Sequence, residues 1–196
     1  MSKTEVEIIF EDHIFVAVIG TAGGKKDPMN EKLDEDLFRK MVISADKTIM
    51  NEFGLDSRGV ILVSGGAAWS DHVAVELYKT GRYGGLQIHF PCEWEGGKHN
   101  DTGEYDWRTN PGRLANSLHD AFSKKIGRDS QSDFSLLSED ENVQFVTGKG
   151  FHTRNSKVAK SEYMIAFTFG SIKGGTSDTW GKCKGSRHHI DIDSLT

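Results

Sequence analysis

Short apolar runs that end in glycine are the feature that most limits what this chain can fold into. Residues 14–19 and 60–63 are apolar throughout, which is typical of parallel strands covered on both faces. Glycines follow each run almost directly, and a third glycine cluster at 170–175 follows the predicted strand at 163–169. The carboxyl ends of parallel strands share one rim of a sheet, so we expect the three glycine segments to converge there.

Helical periodicity alternates with these strands along the chain. The predicted strands are 6–10, 14–19, 60–63, 86–90, 143–146, 163–169 and 188–193, and the predicted helices are 37–53, 70–79, 111–126, 134–137 and 155–160. This alternation predicts an α/β fold, a Rossmann-like three-layer architecture with a mainly parallel central sheet. A length of 196 residues suits a single domain over residues 1–196.

Composition excludes several classes of function. The formal net charge of −5 gives no field that attracts a polyanion, so nucleic acid is not an expected partner. Cys92 and Cys183 follow no disulfide framework, which fits a reducing cytoplasm. No apolar run is long enough to span a bilayer, and the N-terminal residues do not form a secretory signal. We expect a cytoplasmic protein without membrane association; a homo-oligomer stays open.

A metal site has one weak signal in the sequence. His89, Cys92 and His99 have a spacing that a zinc site uses, but no second pair of close ligands follows. We expect neither a metal nor a resident cofactor.

The glycine segments are candidates for anion binding. A strand that ends in glycines and turns into a helix leaves backbone N–H groups unpaired, and glycine lets a phosphate or ribose approach them. A tight turn that needs small residues explains one such segment equally well, whereas three in succession favour a ligand. The candidate residues are Gly20, Thr21, Ala22, Gly23, Ser64, Gly65, Gly66, Ala67, Gly174, Gly175 and Thr176.

Three short motifs occur in an order shared with a known superfamily. Residues 64–74 (SGGAAWSDHVA) resemble the SGGAxxxDxxA element of the SLOG superfamily, which includes the DNA-processing protein A group and the lonely-guy phosphoribohydrolases. Residues 154–167 are similar to its arginine-bearing helix and following strand, and residues 174–176 to its second glycine loop. The resemblance covers residues 14–193. It implies a Rossmann-like nucleotide-binding domain in which Arg154 and Asn155 join the ligand-binding residues.

The second glycine loop departs from the phosphoribohydrolase pattern. Those enzymes carry PGGxGTxxE, and its glutamate, with an upstream arginine, is associated with cleaving the base from a nucleoside monophosphate. Residues 174–180 read GGTSDTW, without the preceding proline or the glutamate. The resemblance therefore implies a modified catalytic set, in which Arg154 stabilises negative charge while Asp178 or Asp71 handles a proton or orients a ribose.

Each of these side chains has a plainer interpretation. Arg154 is a candidate partner for the surface carboxylate of Glu162. Asp71 lies near the first turn of a predicted helix, where a carboxylate complements the helix dipole or caps N–H groups. Asp178 is equally a solvated residue at a helix start.

The polar segment 91–111 is a candidate lid. It contains Trp94, Tyr105 and Trp107 in a composition that does not suit a core, and loops of this length are usually functional or disordered. We expect it to close over a ligand, with Trp107 or Tyr105 stacking on a base.

Taken together, these features favour a protein that binds a nucleotide or nucleotide-derived ligand, such as a nucleoside phosphate or an ADP-ribose-like molecule. It would act as a sensor, a sequestering protein or a hydrolase. One alternative is an N-glycosidic phosphoribohydrolase of nucleoside monophosphates. Another is a single-stranded DNA-binding protein, against which the absence of a basic and aromatic stripe argues.

Overall fold

The computed structural model of the protein describes residues 13–24 and 28–196. The strand predicted at residues 6–10 lies outside the described residues. The described strands are β1 (Ile14–Gly20), β2 (Val60–Ser64), β3 (Gly85–Phe90), β4 (Trp94–Glu95), β5 (Lys98–His99), β6 (Val143–Thr147), β7 (Tyr163–Thr168) and β8 (Ser186–Asp191). The described α-helices are α1 (Glu35–Lys47), α2 (His72–Lys79), α3 (Pro111–Ile126), α4 (Gln131–Leu137), α5 (Phe151–Val158) and α6 (Gly174–Lys182).

Six of these strands form one parallel sheet. Their order is β6-β3-β2-β1-β7-β8, and every neighbouring pair is parallel. The chain builds outward from β1 on one side to β6 and then returns to place β7 on the other side of β1. The sheet therefore has a switch point between β1 and β7, where α/β folds bind their ligands.

Strand β1 shows why helices cover both faces of the sheet. Val16 and Val18 belong to the larger core, whereas Ala17 and Ile19 belong to a second cluster on the opposite face, as the alternation of side chains along a strand requires. The larger core contains buried residues of α1, α2, α3 and α4, and the second cluster includes Val158 of α5. The predicted Rossmann-like three-layer fold with a mainly parallel sheet is confirmed.

Helix α3, which forms one wall of the site, begins and ends where its sequence predicts. Pro111 opens the first turn, where a missing N–H leaves no bond unmade, and the Asn110 side chain accepts the backbone N–H of Arg113 at 3.3 Å. Gly127 ends the helix with φ 68°, a left-handed conformation that glycine adopts without strain. None of the described helices is long and apolar enough to cross a membrane.

The prediction that segment 91–111 stays out of the core is wrong for Trp94 and His99. The short β4–β5 hairpin folds back over the end of β3, where the ring of Trp94 stacks on Phe90 at 6.0 Å between centroids. His99 is only 2% exposed and packs edge-on against the same phenylalanine. These rings cover an apolar strand end that water would otherwise reach.

Candidate functional site

One cavity of about 1080 Å³ lies at the carboxyl ends of β1, β2 and β7. Its lining includes residues from all three glycine segments, namely 20–24 after β1, Gly65 and Ala67 after β2, and 174–176 at the start of α6. Segments that are far apart in the sequence thus lie together at the switch point of the sheet. The opposite wall is built by Leu114, Ser117, Leu118 and Ala121 of α3, with Trp107, Phe151 and His152 at the side.

The N-terminus of α6 presents free backbone amides to this cavity. Within the described ranges, no acceptor is bonded to the N–H of Gly174, Gly175 or Thr176, and the first bonded amide of the turn is that of Ser177, which donates to Lys173 O at 3.2 Å. Helix α6 has no acidic residue in its first turn and no side-chain cap. This helix end is therefore electropositive and has hydrogen-bond donors to spare.

Lys173 is a site residue that sequence reasoning missed. It occupies the cap position of α6 and lines the cavity. A lysine opposes the helix dipole at this end, where Asp, Ser or Thr is usual, so its position favours an anion nearby. The available signal was its place directly before the Gly174-Gly175 pair, where the phosphoribohydrolase motif has proline.

The first glycine loop is fixed partly by its own hydrogen bonds. Thr21 N–H donates to Phe167 O at 2.9 Å, and Gly23 N–H donates to Thr21 Oγ1 at 3.2 Å. The loop is tied to α6, because Thr176 Oγ1 donates to Gly20 O at 3.0 Å. Ala22, which lines the cavity, has an amide with no acceptor in the described part of the chain.

The glycine segment after β2, residues 64–67, shapes the cavity rather than supplying free amides. Gly66 N–H donates to Ser64 Oγ at 3.0 Å, and Ala67 N–H donates to Asp71 Oδ2 at 3.4 Å. Ser64 is fully buried and donates its own hydroxyl to Asp71 O. Neither Ser64 nor Gly66 lines the cavity, since Gly66 packs against Phe90. Contact of these two residues with a ligand stays a prediction.

Arg154 and Asp71 form a buried pair at the floor of the cavity. Arg154 Nη1 donates to Gly65 O at 2.9 Å and lies 3.7 Å from Asp71 Oδ2, with the two side chains 13% and 7% exposed. Burial raises the pKa of Asp71, against the opposing charge of Arg154, and burial lowers the pKa of Arg154. Glu162 is not the partner of Arg154, because its Oε2 accepts Phe15 N–H at 2.8 Å.

Asp71 does not behave as an ordinary helix cap. It stands at the cap position of α2 but makes no side-chain cap bond. Its carboxylate turns instead toward Gly65, Ala67 and Arg154. The side chain thus belongs to the cavity floor, while its negative charge still complements the helix dipole.

Asn155 connects this pair to Asp178. Its Oδ1 accepts from Arg154 Nε at 3.2 Å and Nη2 at 2.9 Å, and its Nδ2 donates to Asp178 Oδ2 at 3.2 Å. Asp178 also pairs with Lys182 at 2.9 Å, and this lysine holds the pKa of Asp178 below its usual range. Asp178 itself does not line the cavity. The three predicted catalytic residues therefore share one polar network, but only Arg154 and Asp71 reach the cavity.

The two aromatic residues predicted to stack on a base are separated by the fold. Trp107 lines the cavity, is 38% exposed and lies 6.0 Å from the ring of Phe151. Tyr105 is 89% exposed, stands under the guanidinium of Arg113 and does not line the cavity. Only Trp107 is placed to touch a ligand.

A cluster of His72, Glu76 and Asp133 lies outside the cavity and is close enough to share a cation. Lys79 and Arg128 already pair with both acids. Burial alone would raise the pKa of Asp133, but hydrogen bonds from the surrounding donors hold that pKa well below its usual range. We assign this cluster to ion pairing between α2 and the start of α4.

Comparison with known proteins places the chain in a family. No family model matches it, and no solved structure does. It is 35% identical over 173 residues to the uncharacterized protein R261 of Acanthamoeba polyphaga mimivirus, and the match spans 87% of this chain and 91% of the viral protein. The chain belongs to the family of this mimivirus protein. The match thus extends over most of both chains rather than over one motif.

Proposed function

We propose that this protein binds a nucleotide or nucleotide-derived ligand in the cavity at the carboxyl ends of β1, β2 and β7. The observation that carries the proposal is the convergence of three distant glycine segments on one cavity at the switch point of a parallel sheet. Its volume of about 1080 Å³ is slightly above the range of about 300–1,000 Å³ for small-molecule sites.

The phosphate is proposed to lie at the N-terminus of α6. Free amides of residues 174–176 face it there, and Lys173 and Arg154 add positive charge, while Asp71 is the one carboxylate that lines the cavity among the described residues. Each charge-assisted hydrogen bond contributes about 1.5–3 kcal/mol. Three or four such bonds support micromolar affinity, which corresponds to about 8 kcal/mol.

The base is proposed to lie against the apolar wall. Leu114 and Leu118 of α3 face the cavity together with Trp107 and Phe151, and a flat ring that is apolar on its faces suits such a surface. Segment 91–111, which carries Trp107, would then act as a lid. The resemblance to the SLOG superfamily supports the same arrangement, because Arg154 and its second glycine loop border the cavity.

Binding is favoured over hydrolysis. Asp178, the nearest substitute for the family glutamate, is held by Lys182 and Asn155 away from the cavity. A general acid or base must lie within hydrogen-bond reach of the reacting atom. We therefore infer a sensor or a sequestering protein, and the net charge of −5 argues against single-stranded DNA as the ligand.

Thermal shift with nucleoside monophosphates, ADP-ribose and NAD tests the proposal. A ligand at about 100 times its dissociation constant adds about 2.7 kcal/mol to the free energy of unfolding, which raises Tm by about 5–10 °C in a chain of this size. Lys173→Gln is expected to weaken affinity about tenfold, the loss of about 1.4 kcal/mol of charge-assisted bonding. Lys184→Gln is the matched control, because Lys184 lines a separate cavity at the amino ends of the strands. A panel without any shift contradicts the proposal.

Chromatography of the same mixtures separates binding from turnover. We expect nucleoside monophosphates, ADP-ribose and NAD to be recovered intact after prolonged incubation, because no free acid besides Asp71 lines the described cavity. Released base that disappears in Asp71→Asn would show instead that the protein is an N-glycosidic hydrolase.

A further inference from the structure

Asp71 is a buried carboxylate whose negative charge depends largely on one partner. Its side chain is 7% exposed, and Arg154 Nη1 lies 3.7 Å from Oδ2, too far for a hydrogen bond. The amides of Gly65 and Ala67 also favour the ionised form, but the Ala67 bond is long at 3.4 Å. A buried carboxylate with such weak hydrogen bonding stays ionised mainly through the nearby positive charge.

Arg154 is oriented so that some of its N–H donors are available to a second anion. Of its five N–H donors, one on Nη1 is bonded to Gly65 O, and those on Nε and Nη2 are bonded to Asn155 Oδ1. Each terminal nitrogen therefore keeps one further N–H, and the side chain lines the cavity. A phosphate oxygen can accept from these donors, since the planar fork of a guanidinium suits phosphate.

Two anions close to one guanidinium cannot both be fully compensated. We propose that the anionic group of the ligand takes over Arg154 as its counterion and that Asp71 gains a proton from the solvent as the ligand binds. The inference rests on the proposed nucleotide site and adds a linkage between occupancy of that site and pH. The proton goes to a carboxylate oxygen of Asp71, so the neutral acid remains at the cavity floor beside the bound anion.

Among the described residues, no second cation acts on Asp71 that would take over from Arg154. Arg154 of α5 is the charged group that acts on Asp71, whose other contacts are the backbone amides of its own loop. His89 and His99 feel the charge of Arg154, and burial keeps both neutral by lowering their pKa to about 4. Asp178 is connected only through Asn155 and has Lys182 as its own counterion.

Gly65 permits this arrangement. A Cβ at that position would overlap Asp71 Oδ2 and would lie 3.0 Å from Arg154 Cζ. The absence of a side chain thus lets the carboxylate and the guanidinium meet directly behind the loop. Gly65 of the SGGA segment therefore makes room for the charge pair and also permits the tight turn.

Calorimetric titration with AMP and ADP-ribose, in buffers of different ionisation enthalpy, tests the proposal by counting protons. The phosphates of ADP-ribose do not titrate near neutral pH, so any proton taken up with this ligand is bound by the protein. Because burial already raises the pKa of Asp71 in the free protein, we expect proton uptake by the wild type to grow as the pH falls from neutral, and to decline again once Asp71 is protonated before the ligand binds. Affinity is then expected to rise as the pH falls, because a complex that takes up protons is favoured by them.

Two variants isolate the residue. Asp71→Asn keeps the shape and removes the charge, so we expect it to lose the uptake and to bind about tenfold more tightly at pH 7, the equivalent of one pKa unit. His152→Gln removes a second titratable side chain of the described cavity lining, so uptake that disappears in this variant would overturn the assignment of the proton to Asp71. If Asp71→Asn does not fold, the wild-type count with ADP-ribose and the His152→Gln control still decide.

The outcomes are distinct. A ligand that binds without proton uptake, or with uptake that persists in Asp71→Asn, overturns the exchange of counterions. Failure of both AMP and ADP-ribose to bind contradicts the nucleotide site itself.

Discussion

Replacing Gly20 by alanine is expected to abolish nucleotide binding and to lower the free energy of unfolding by about 3 kcal/mol. Gly20 ends β1 with φ 148°, a conformation that side chains rarely adopt. A Cβ there would overlap Phe167 O, the acceptor of Thr21 N–H, and would meet Ser70 Oγ at 2.7 Å. The added methyl group must therefore push β1 and β7 apart at the switch point, where the cavity floor lies.

Gly24→Ala is the matched control for this effect. Gly24 lines the same cavity, has no positive φ, and would place a Cβ that meets none of the described residues within 4 Å. Urea unfolding should show a lower free energy of unfolding only for Gly20→Ala. Thermal unfolding of the same variant should show a fall in Tm of about 10 °C for a chain of this size. Equal stability of the two variants would contradict the close approach of β7 to the end of β1.

Much of this framework follows from local sequence. The apolar run 14–19 predicts a central strand because no polar residue interrupts it, and the helix at 111–126 is predicted from Pro111 at its start and from its periodic apolar face. Such signals depend on neighbours along the chain. These signals were enough to predict the sheet and the convergence of the three glycine segments on one rim.

The chemistry of the site depends on partners that no local pattern shows. Gly66 and Ala67 look like free donors in sequence, but Ser64 Oγ and Asp71 Oδ2 take their hydrogens. The start of helix α6 at Gly174 is not predicted from the sequence, because three of its first residues are poor helix formers and its packing against α5 is a tertiary effect. Lys173 can be recognised as a site residue only when α6 is known to begin directly after it.

The segment 91–111 shows that composition also fails to predict which residues are buried. Its polar composition predicts exposure, yet the β4–β5 hairpin carries Trp94 and His99 onto the end of β3. Burial of two rings outweighs the polarity of their neighbours, which remain at the surface. Composition averaged over the segment hides such a division.

Burial of histidines predicts that acid destabilises the fold. Burial lowers the pKa of His89 and His99 to about 4 and that of His119 to about 3, from an ordinary value of 6.5. Between pH 6.5 and 4 the unfolded chain binds more protons than the folded one, so the free energy of unfolding falls as the pH falls. Each of the three contributes a loss of about 3 kcal/mol by pH 4. Their sum approaches the typical total stability of about 5–15 kcal/mol, and we expect cooperative unfolding near pH 4.

His99→Phe isolates one of these contributions. No hydrogen-bond partner reaches either ring nitrogen of His99 among the described residues, and its neighbours include Phe90 and His119, so a phenyl ring removes the titration and keeps the packing. Relative to its effect at pH 7.5, the substitution is expected to add about 2 kcal/mol to the free energy of unfolding at pH 5. Urea titrations at both pH values measure this difference. A pH dependence unchanged by His99→Phe would mean that His99 accepts its proton without unfolding.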